Sequence, residues 1–163
     1  MNTDESSTGP TWIKRIVVAA DGSPASVRGL EQAAELAARA GAKVVVVHVR
    51  HVPPMAMIGS SMSAPSMLES LDEVESEVRQ QAVRILGSSA VAWDFVVREG
   101  SAGEEVVKVV SEVSADIVVV GSNRHSSLHN LVLGSTAAYL TSHSPVPVLV
   151  MRAPVTAEVA HSR

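Results

Sequence analysis

Short apolar runs alternate with segments of helical period along this chain. Runs rich in β-branched residues predict strands, because strands covered on both faces of a sheet are almost continuously apolar. These runs occupy residues 15–20, 43–49, 91–98, 116–120 and 146–151. Apolar residues at three- and four-residue steps predict helices between the strands, near residues 27–40, 68–85, 106–113 and 134–142.

Turn and cap residues divide this pattern. Gly41 stands where the first helix should stop, and Ser101 with Glu104 forms a predicted capping box for the third. Pro147 interrupts the last run, and a proline inside a strand indicates an edge position. The strand–helix alternation predicts an α/β fold, a single doubly wound open sheet of five mostly parallel strands with helices on both faces.

The chain of 163 residues is predicted to form one domain with loose ends. Residues 13–152 carry the strand–helix pattern, while 1–12 and 153–163 are predicted to be flexible tails. Residues 51–67 interrupt the pattern with prolines, serines and four of the six methionines. This stretch is predicted to be a flexible loop; because methionine adapts to varied shapes, a lid or partner surface is the alternative.

Composition narrows the classes of function. Hydrophobic residues make up 46% of the chain and aromatic residues only 2%, so the core is predicted to be Val, Ala, Leu and Ile. The net charge is −4 without a lysine or arginine cluster, which argues against nucleic-acid binding. The absence of cysteine excludes disulfides and thiolate chemistry. An acidic start and the lack of a long apolar run predict a cytoplasmic protein with no membrane partner.

Two turn-rich strand ends form the candidate functional site. Gly121 ends the fourth run, and Gly134 follows thirteen residues later with Ser135 opening a helix. Glycines at such positions let backbone amides approach an anion, although a turn glycine and an ordinary helix cap explain them equally well. Ligands of doubly wound sheets bind outside the carboxyl ends of strands, where the winding reverses. If strands one and four are neighbours there, the turn at Asp21 and the loop after Gly121 face one nucleotide-sized crevice.

These features together resemble the universal stress protein family over residues 15–152. The likeness rests on the Asp-Gly-Ser turn at 21–23, the His-Val pair at 48–49 and the Pro-Val-Pro segment at 145–147. The resemblance implies a sheet of strand order 3-2-1-4-5. It also implies a nucleotide-binding regulatory module of the stress response that acts as a homodimer.

The family's ATP-binding signature, Gly-x2-Gly-x9-Gly followed by Ser or Thr, is matched by Gly121, Gly134 and Ser135. Arg124 stands where the signature has its second glycine. A guanidinium at that position could pair with a phosphate or fill the pocket instead. Ala19 stands where the family's first strand often has a proline, with little expected consequence.

The resemblance also assigns residues to a nucleotide site. They are Ala19, Asp21, Val49, Gly121, Asn123, Arg124, Gly134, Ser135 and Thr136. The first three would lie on the adenosine side, Val49 through its main chain, and the others near the ribose and phosphates. The implied ligand is ATP, with Mg²⁺ or Mn²⁺ held mainly by phosphate oxygens.

An enzyme is not predicted. The sequence lacks a Gly-x-Ser-x-Gly elbow, a Walker motif and a Gly-x-Gly-x-x-Gly fingerprint, although slow hydrolysis of bound ATP stays open. His125 and His129 lie four apart but without a third ligand nearby, so surface histidines are favoured over a metal site. His48, at a strand end, is predicted to be packed or hydrogen-bonded.

Three hypotheses remain open. In the first, ATP occupancy shifts the loop after Gly121 and so changes a surface for a regulatory protein partner. In the second, Arg124 fills the crevice and the protein is a nucleotide-free dimeric interaction module. In the third, the same crevice receives a cyclic adenine nucleotide. Independently of these, the family pattern predicts a homodimer through the last strand, from Val146 to Met151, since an apolar edge needs covering.

Overall fold

The structure is a computed structural model that describes residues 10–52, 64–122 and 133–153. In these segments, strands and helices alternate as the sequence predicts. The elements are β1 (Arg15–Ala19), α1 (Pro24–Ala40), β2 (Lys43–Arg50), α2 (Ala64–Leu86), β3 (Trp93–Glu99), α3 (Ala102–Glu112), β4 (Ile117–Ser122), α4 (Ser135–His143) and β5 (Val148–Arg152).

The strands form one sheet in the order β3-β2-β1-β4-β5, and every neighbouring pair is parallel. The fold class and the strand order implied by the resemblance are therefore confirmed. The winding reverses between β1 and β4, which pair from Ile16 with Ile117 to Ala19 with Val120. A doubly wound sheet opens its ligand crevice beyond the carboxyl ends of such a pair.

Alternate residues of the central strands enter two apolar layers. On one face, Ile16, Val18, Val44 and Val46 pack with residues of α1 and α2. On the other face, the neighbouring strand residues pack with α3 and α4. Both layers are built almost entirely from aliphatic side chains, as the composition predicts, so the sheet is buried on both sides.

The first helix begins and ends where local chemistry favours it. Ser23 is the N-cap, with its side chain accepting a hydrogen bond from the Ser26 N–H, and Pro24 follows at the first helical position. Gly41 ends the helix in the left-handed region, at φ 63°, and donates its N–H to the Ala37 carbonyl. The predicted stop at Gly41 is confirmed.

Two local predictions were wrong. Ser101 is the N-cap of α3, but its side chain makes no capping hydrogen bond, so the predicted capping box with Glu104 is absent. Glu104 and Glu105 complement the dipole of the first turn instead. Pro147 precedes β5 rather than interrupting it, and its carbonyl accepts a hydrogen bond from the Val118 N–H. The edge position that the proline suggested is nevertheless correct.

Element boundaries also differ from the prediction. α2 begins at Ala64, so residues 64–67 of the predicted 51–67 loop are helical. Pro65 does not prevent this, because proline is tolerated in the first turn of a helix. β4 extends to Ser122, which places Gly121 inside the strand rather than after it.

Candidate functional site

A cleft of about 280 Å³ lies at the carboxyl end of the sheet, where the winding reverses. Its apolar wall comes from strands β2 and β4 and from the beginnings of α3 and α4. Val47, Val49, Val106, Val120 and Ala137 form this wall. The volume is near the lower end of the range of small-molecule sites.

The structure brings the described residues of the predicted site together around this cleft. All seven line it: Ala19, Asp21, Val49, Gly121, Gly134, Ser135 and Thr136. They come from four segments separated in sequence, so their meeting is a property of the parallel sheet. The other two predicted site residues, Asn123 and Arg124, and the histidines His125 and His129, lie outside the described residues.

Sequence reasoning missed part of the lining. Ser26 lies in the cleft wall and is buried, although the pattern marked only the helix in which it stands. Ala102 and Val106 come from the start of α3, which the sequence analysis assigned only to a capped helix. The predicted parallel sheet was the signal that could have identified α3 as part of the cleft. In such a sheet the helix after β3 also begins at the carboxyl edge, where the ligand binds.

The turn after β1 is held by its own side chains. The Asp21 N–H donates to Ser26 Oγ at 3.2 Å, and the Ser23 N–H donates to Asp21 Oδ1 at 2.9 Å. Gly22 adopts φ 84°, the left-handed conformation that glycine takes without a steric penalty. Through these bonds the turn presents Asp21 at the mouth of the cleft as a negatively charged hydrogen-bond acceptor.

Gly121 has a packing role that the sequence did not indicate. A β-carbon at this position would lie 2.6 Å from the Ala25 carbonyl carbon and from the Ser26 nitrogen. The end of β4 therefore contacts the backbone of the first turn of α1 directly. This contact joins the two strand ends predicted to converge, and it explains the glycine without any ligand.

Gly134 is different, because a β-carbon there would meet no atom of the described residues within 4 Å. It is the N-cap of α4 with φ −59°, and no side-chain capping hydrogen bond forms there within the described part of the chain. Among the described residues, nothing accepts the first backbone N–H groups of this helix, which lie next to the cleft together with Ser135 and Thr136. A helix N-terminus of this kind suits an anion such as phosphate.

Ion pairs join the end of β2 to helix α2. Arg50, the residue after Val49, donates through Nε to Glu75 Oε2 at 2.8 Å and through Nη2 to Asp72 Oδ1 at 2.5 Å. Desolvation raises the pKa of Glu75, but hydrogen bonds from Arg50 and Arg79 outweigh it and hold that pKa below its ordinary value. The ionised Glu75 thereby ties α2 to the end of β2.

His48 is buried behind the cleft rather than inside it. Its Nδ1 lies 2.9 Å from the Ala20 carbonyl oxygen. The prediction that this histidine is hydrogen-bonded is confirmed.

The described residues contain no group of three or more histidine or acidic side chains that could hold a metal ion. Within the same described segments, none of the helices combines the length and the apolar character that spanning a bilayer requires.

Residues 13–152 match the model of the universal stress protein family. The chain belongs to this family. It is similar to a universal stress protein of Methanocaldococcus jannaschii, with 27% identity over 150 residues that cover 90% of this chain and 86% of that protein.

Solved structures of the family share the fold. The UspA protein of Lactobacillus plantarum matches with a TM-score of 0.69 and 20% identity, over 86% of this chain and 98% of that one. A universal stress protein solved in complex with cAMP has a TM-score of 0.58 and 24% identity, over 87% and 98%. An Arabidopsis thaliana family protein with AMP bound has a TM-score of 0.61 and 16% identity, over 91% and 97%. At these identities the likeness concerns the fold alone.

Proposed function

We propose that this protein is a nucleotide-binding regulatory module of the stress response that binds ATP in the cleft at the sheet reversal. The observation that carries the proposal is the meeting of all seven described site residues around one cavity. Asp21 and Val49 lie on its adenosine side, and Gly134, Ser135 and Thr136 form its phosphate side.

The geometry of the phosphate side supports this assignment. As far as the described residues extend, there is open space at Gly134 and no side-chain cap on α4, which leaves backbone donors for an anion. The apolar wall is suited to a planar base, which binds by burial with a few polar contacts. Bound adenine nucleotides in two structures of the same fold, cAMP in one and AMP in the other, agree with this choice.

The protein acts by occupancy rather than by catalysis in this proposal. The cleft residues bind and orient the nucleotide, and Mg²⁺ or Mn²⁺ comes with the phosphates. The segment between Gly121 and Gly134 carries the effect of occupancy to a regulatory protein partner. The module works in the cytoplasm as a homodimer through β5, whose outer edge has no partner strand among the described residues.

Isothermal titration calorimetry with ATP and Mg²⁺ tests the proposal, using Gly134→Asp and Gly134→Asn as a matched pair. Both substitutions introduce good N-cap residues, so both variants should fold with equal or greater stability. Their side chains occupy the α4 amides, and only aspartate adds a charge that repels phosphate. ATP affinity should fall by about tenfold in Gly134→Asn and by about a hundredfold or more in Gly134→Asp.

Wild-type protein that binds no adenine nucleotide at millimolar concentration would contradict the proposal. The nucleotide-free module would then be favoured, and Arg124→Gly, which restores the second glycine of the signature, should open the site.

The cyclic-nucleotide hypothesis is the second candidate, supported by the similar fold solved in complex with cAMP. Competition in the same calorimeter separates it from the first. If cAMP binds more tightly than ATP and is unaffected by charge at position 134, the site is a cyclic-nucleotide receptor. If ATP displaces cAMP and responds to Gly134→Asp, ATP is the ligand.

A further inference from the structure

Two buried polar side chains lie behind the turn that carries Asp21. His48 and Gln81 are only 5% and 8% exposed. Neither lines the cleft. His48 alternates along β2 with the cleft residues Val47 and Val49, so its side chain lies on the opposite face of the sheet, and Gln81 comes from α2. We call this pair the rear clamp.

Each member of the rear clamp binds a carbonyl of the turn. His48 Nδ1 lies 2.9 Å from the Ala20 oxygen, and Gln81 Nε2 donates to the Gly22 oxygen at 3.3 Å. A carbonyl oxygen can only accept, so His48 must carry its proton on Nδ1.

The same two peptide groups are held from the front by residues of the cleft. The peptide that joins Ala20 to Asp21 has its oxygen bound to His48 and its N–H bound to Ser26 Oγ. The peptide that joins Gly22 to Ser23 has its oxygen bound to Gln81 and its N–H bound to Asp21 Oδ1. Rotation of either peptide would therefore break one rear bond and one bond to a cleft side chain together.

The peptide that joins Gly22 to Ser23 depends most on these hydrogen bonds for its orientation. Gly22 has φ 84°, and glycine has more backbone conformations available than any other residue. Without a partner for the Gly22 oxygen, the peptide could turn over and release the Asp21 carboxylate from the Ser23 N–H. The orientation of Asp21, the charged residue among the described lining residues of the cleft, thus depends on a side chain on the other face of the sheet.

Gln81 is poorly explained as a residue that serves stability alone. Its Oε1 is buried without a hydrogen-bond partner among the described residues, which is destabilising. Its neighbours on the helix face, Val78 and Ala82, are fully buried and apolar. An apolar side chain of similar length would avoid the unpaired oxygen, but it could not donate to Gly22.

We propose that Gln81 and His48 are positioning residues of the nucleotide site. Each fixes a peptide whose N–H holds a cleft side chain, so that Asp21 and Ser26 stay oriented towards the ligand before it arrives. The nature of the ligand rests on the proposed function, whereas the hold on the turn does not. Preorganisation of this kind raises affinity because the ordering cost is met before binding.

The test compares Gln81→Met with the wild type in three measurements. Methionine keeps the length and removes both the donor and the unpaired acceptor. Thermal unfolding should be unchanged or shifted upward, because a buried unsatisfied oxygen is gone. In the ligand-free protein, exchange of the Ser23 amide, followed by NMR, should accelerate by about tenfold. ATP affinity by calorimetry should fall by about tenfold.

A pair of substitutions at His48 provides the control. His48→Asn places a side-chain N–H close to the position of Nδ1, so the Asp21 amide should stay protected and ATP affinity should stay within about threefold of the wild type. His48→Leu fills the space without a donor, so both protection and affinity should be lost. Rescue by asparagine but not by leucine separates positioning from packing.

Three outcomes would overturn the inference. The first is unchanged exchange of the Ser23 amide in Gln81→Met, whatever the protein binds. The second is a parallel loss of stability and affinity, which indicates a structural role only. The third is faster exchange with unchanged ATP affinity. If the wild type binds no nucleotide, the proposed function fails, while the exchange measurement still decides whether the rear clamp holds the turn.

Discussion

A side chain at position 121 would collide with the backbone of α1, whereas a β-carbon at position 134 would meet no atom of the described segments within 4 Å. Both glycines belong to the same sequence pattern, yet their physical reasons differ. Gly121 lines the cleft and permits the end of β4 and the first turn of α1 to touch there. Gly134 leaves room next to the α4 amides, which have no side-chain cap in the part of the chain that the structure describes. Only the second has a property that a ligand would explain.

This difference predicts opposite results for alanine at the two positions. Gly121→Ala should lower the free energy of unfolding by about 2 kcal/mol or more, because the β-carbon meets backbone atoms that cannot move without shifting α1. Gly134→Ala should lower it by less than about 1 kcal/mol, the difference between glycine and alanine at an N-cap. Urea unfolding of the two variants measures both values. Equal losses would show that the packing at Gly121 is not tight.

At the scale of single residues, the sequence identified which positions line the cleft but not why those residue types stand there. The pattern around Gly121, Gly134 and Ser135 selected positions that do line one cleft. It could not reveal that α1 packs on Gly121, because that contact joins residues about a hundred positions apart. Ser26 was missed for the same reason, since a serine in a helix shows its burial only after the helix docks.

At the scale of elements, ion pairs and hydrogen bonds fix how neighbouring segments start and end. Asp116 precedes β4, and its Oδ2 accepts the N–H groups of Lys14 and Arg15 at 2.7 and 2.9 Å, at the start of β1. These two backbone hydrogen bonds hold the pKa of Asp116 below its ordinary value. One carboxylate thus ties the first and fourth strands at the end of the sheet opposite the cleft.

The lowered pKa gives a prediction with a defined sign. Because the folded state favours the ionised form, the contribution of Asp116 is present above the unfolded pKa of about 4 and is lost as pH falls through the folded value. At pH 7, Asp116→Asn should be about 1 kcal/mol less stable than the wild type, a modest value because the site is partly exposed. Urea unfolding between pH 7 and pH 2.5 should show the gap closing in acid. A gap that is independent of pH would contradict the charge-based account.

Periodicity predicted the existence of the elements but not their ends. α2 starts at Ala64 and α3 lacks its predicted capping box. Helix ends depend on hydrogen bonds of individual backbone groups, and several sequences satisfy those bonds equally well. The apolar periodicity of a helix or strand, in contrast, repeats over many residues, so the existence of the element is predicted reliably.

At the scale of the whole molecule, β5 leaves one edge of the sheet unpaired among the described residues. Val148 is paired with Val118, whose N–H donates to the Pro147 carbonyl. In a parallel ladder the backbone groups of successive residues point to alternate sides. The N–H of Val150 therefore points away from β4, towards the proposed dimer partner.

Val150→Pro should therefore dissociate the proposed homodimer. Proline removes the outward N–H and is tolerated at a sheet edge, so the fold should survive. Val150→Ala is the matched control, because it removes a similar amount of packing and keeps the N–H. Analytical ultracentrifugation should give a dimer for the wild type and alanine variant, and a monomer of 17.0 kDa for the proline variant. A proline variant that stays dimeric would place the interface elsewhere.

The sequence by itself determined the succession of elements and the aliphatic core, because both depend on patterns repeated over many neighbouring residues, and it indicated the family through short motifs at the strand ends. The tertiary structure alone decided that seven residues from distant segments share one cleft, that Gly121 serves packing, and that Gln81 and His48 support the turn from behind. These facts arise from contacts across the sheet. Such contacts depend on register and helix docking, which local propensity does not encode.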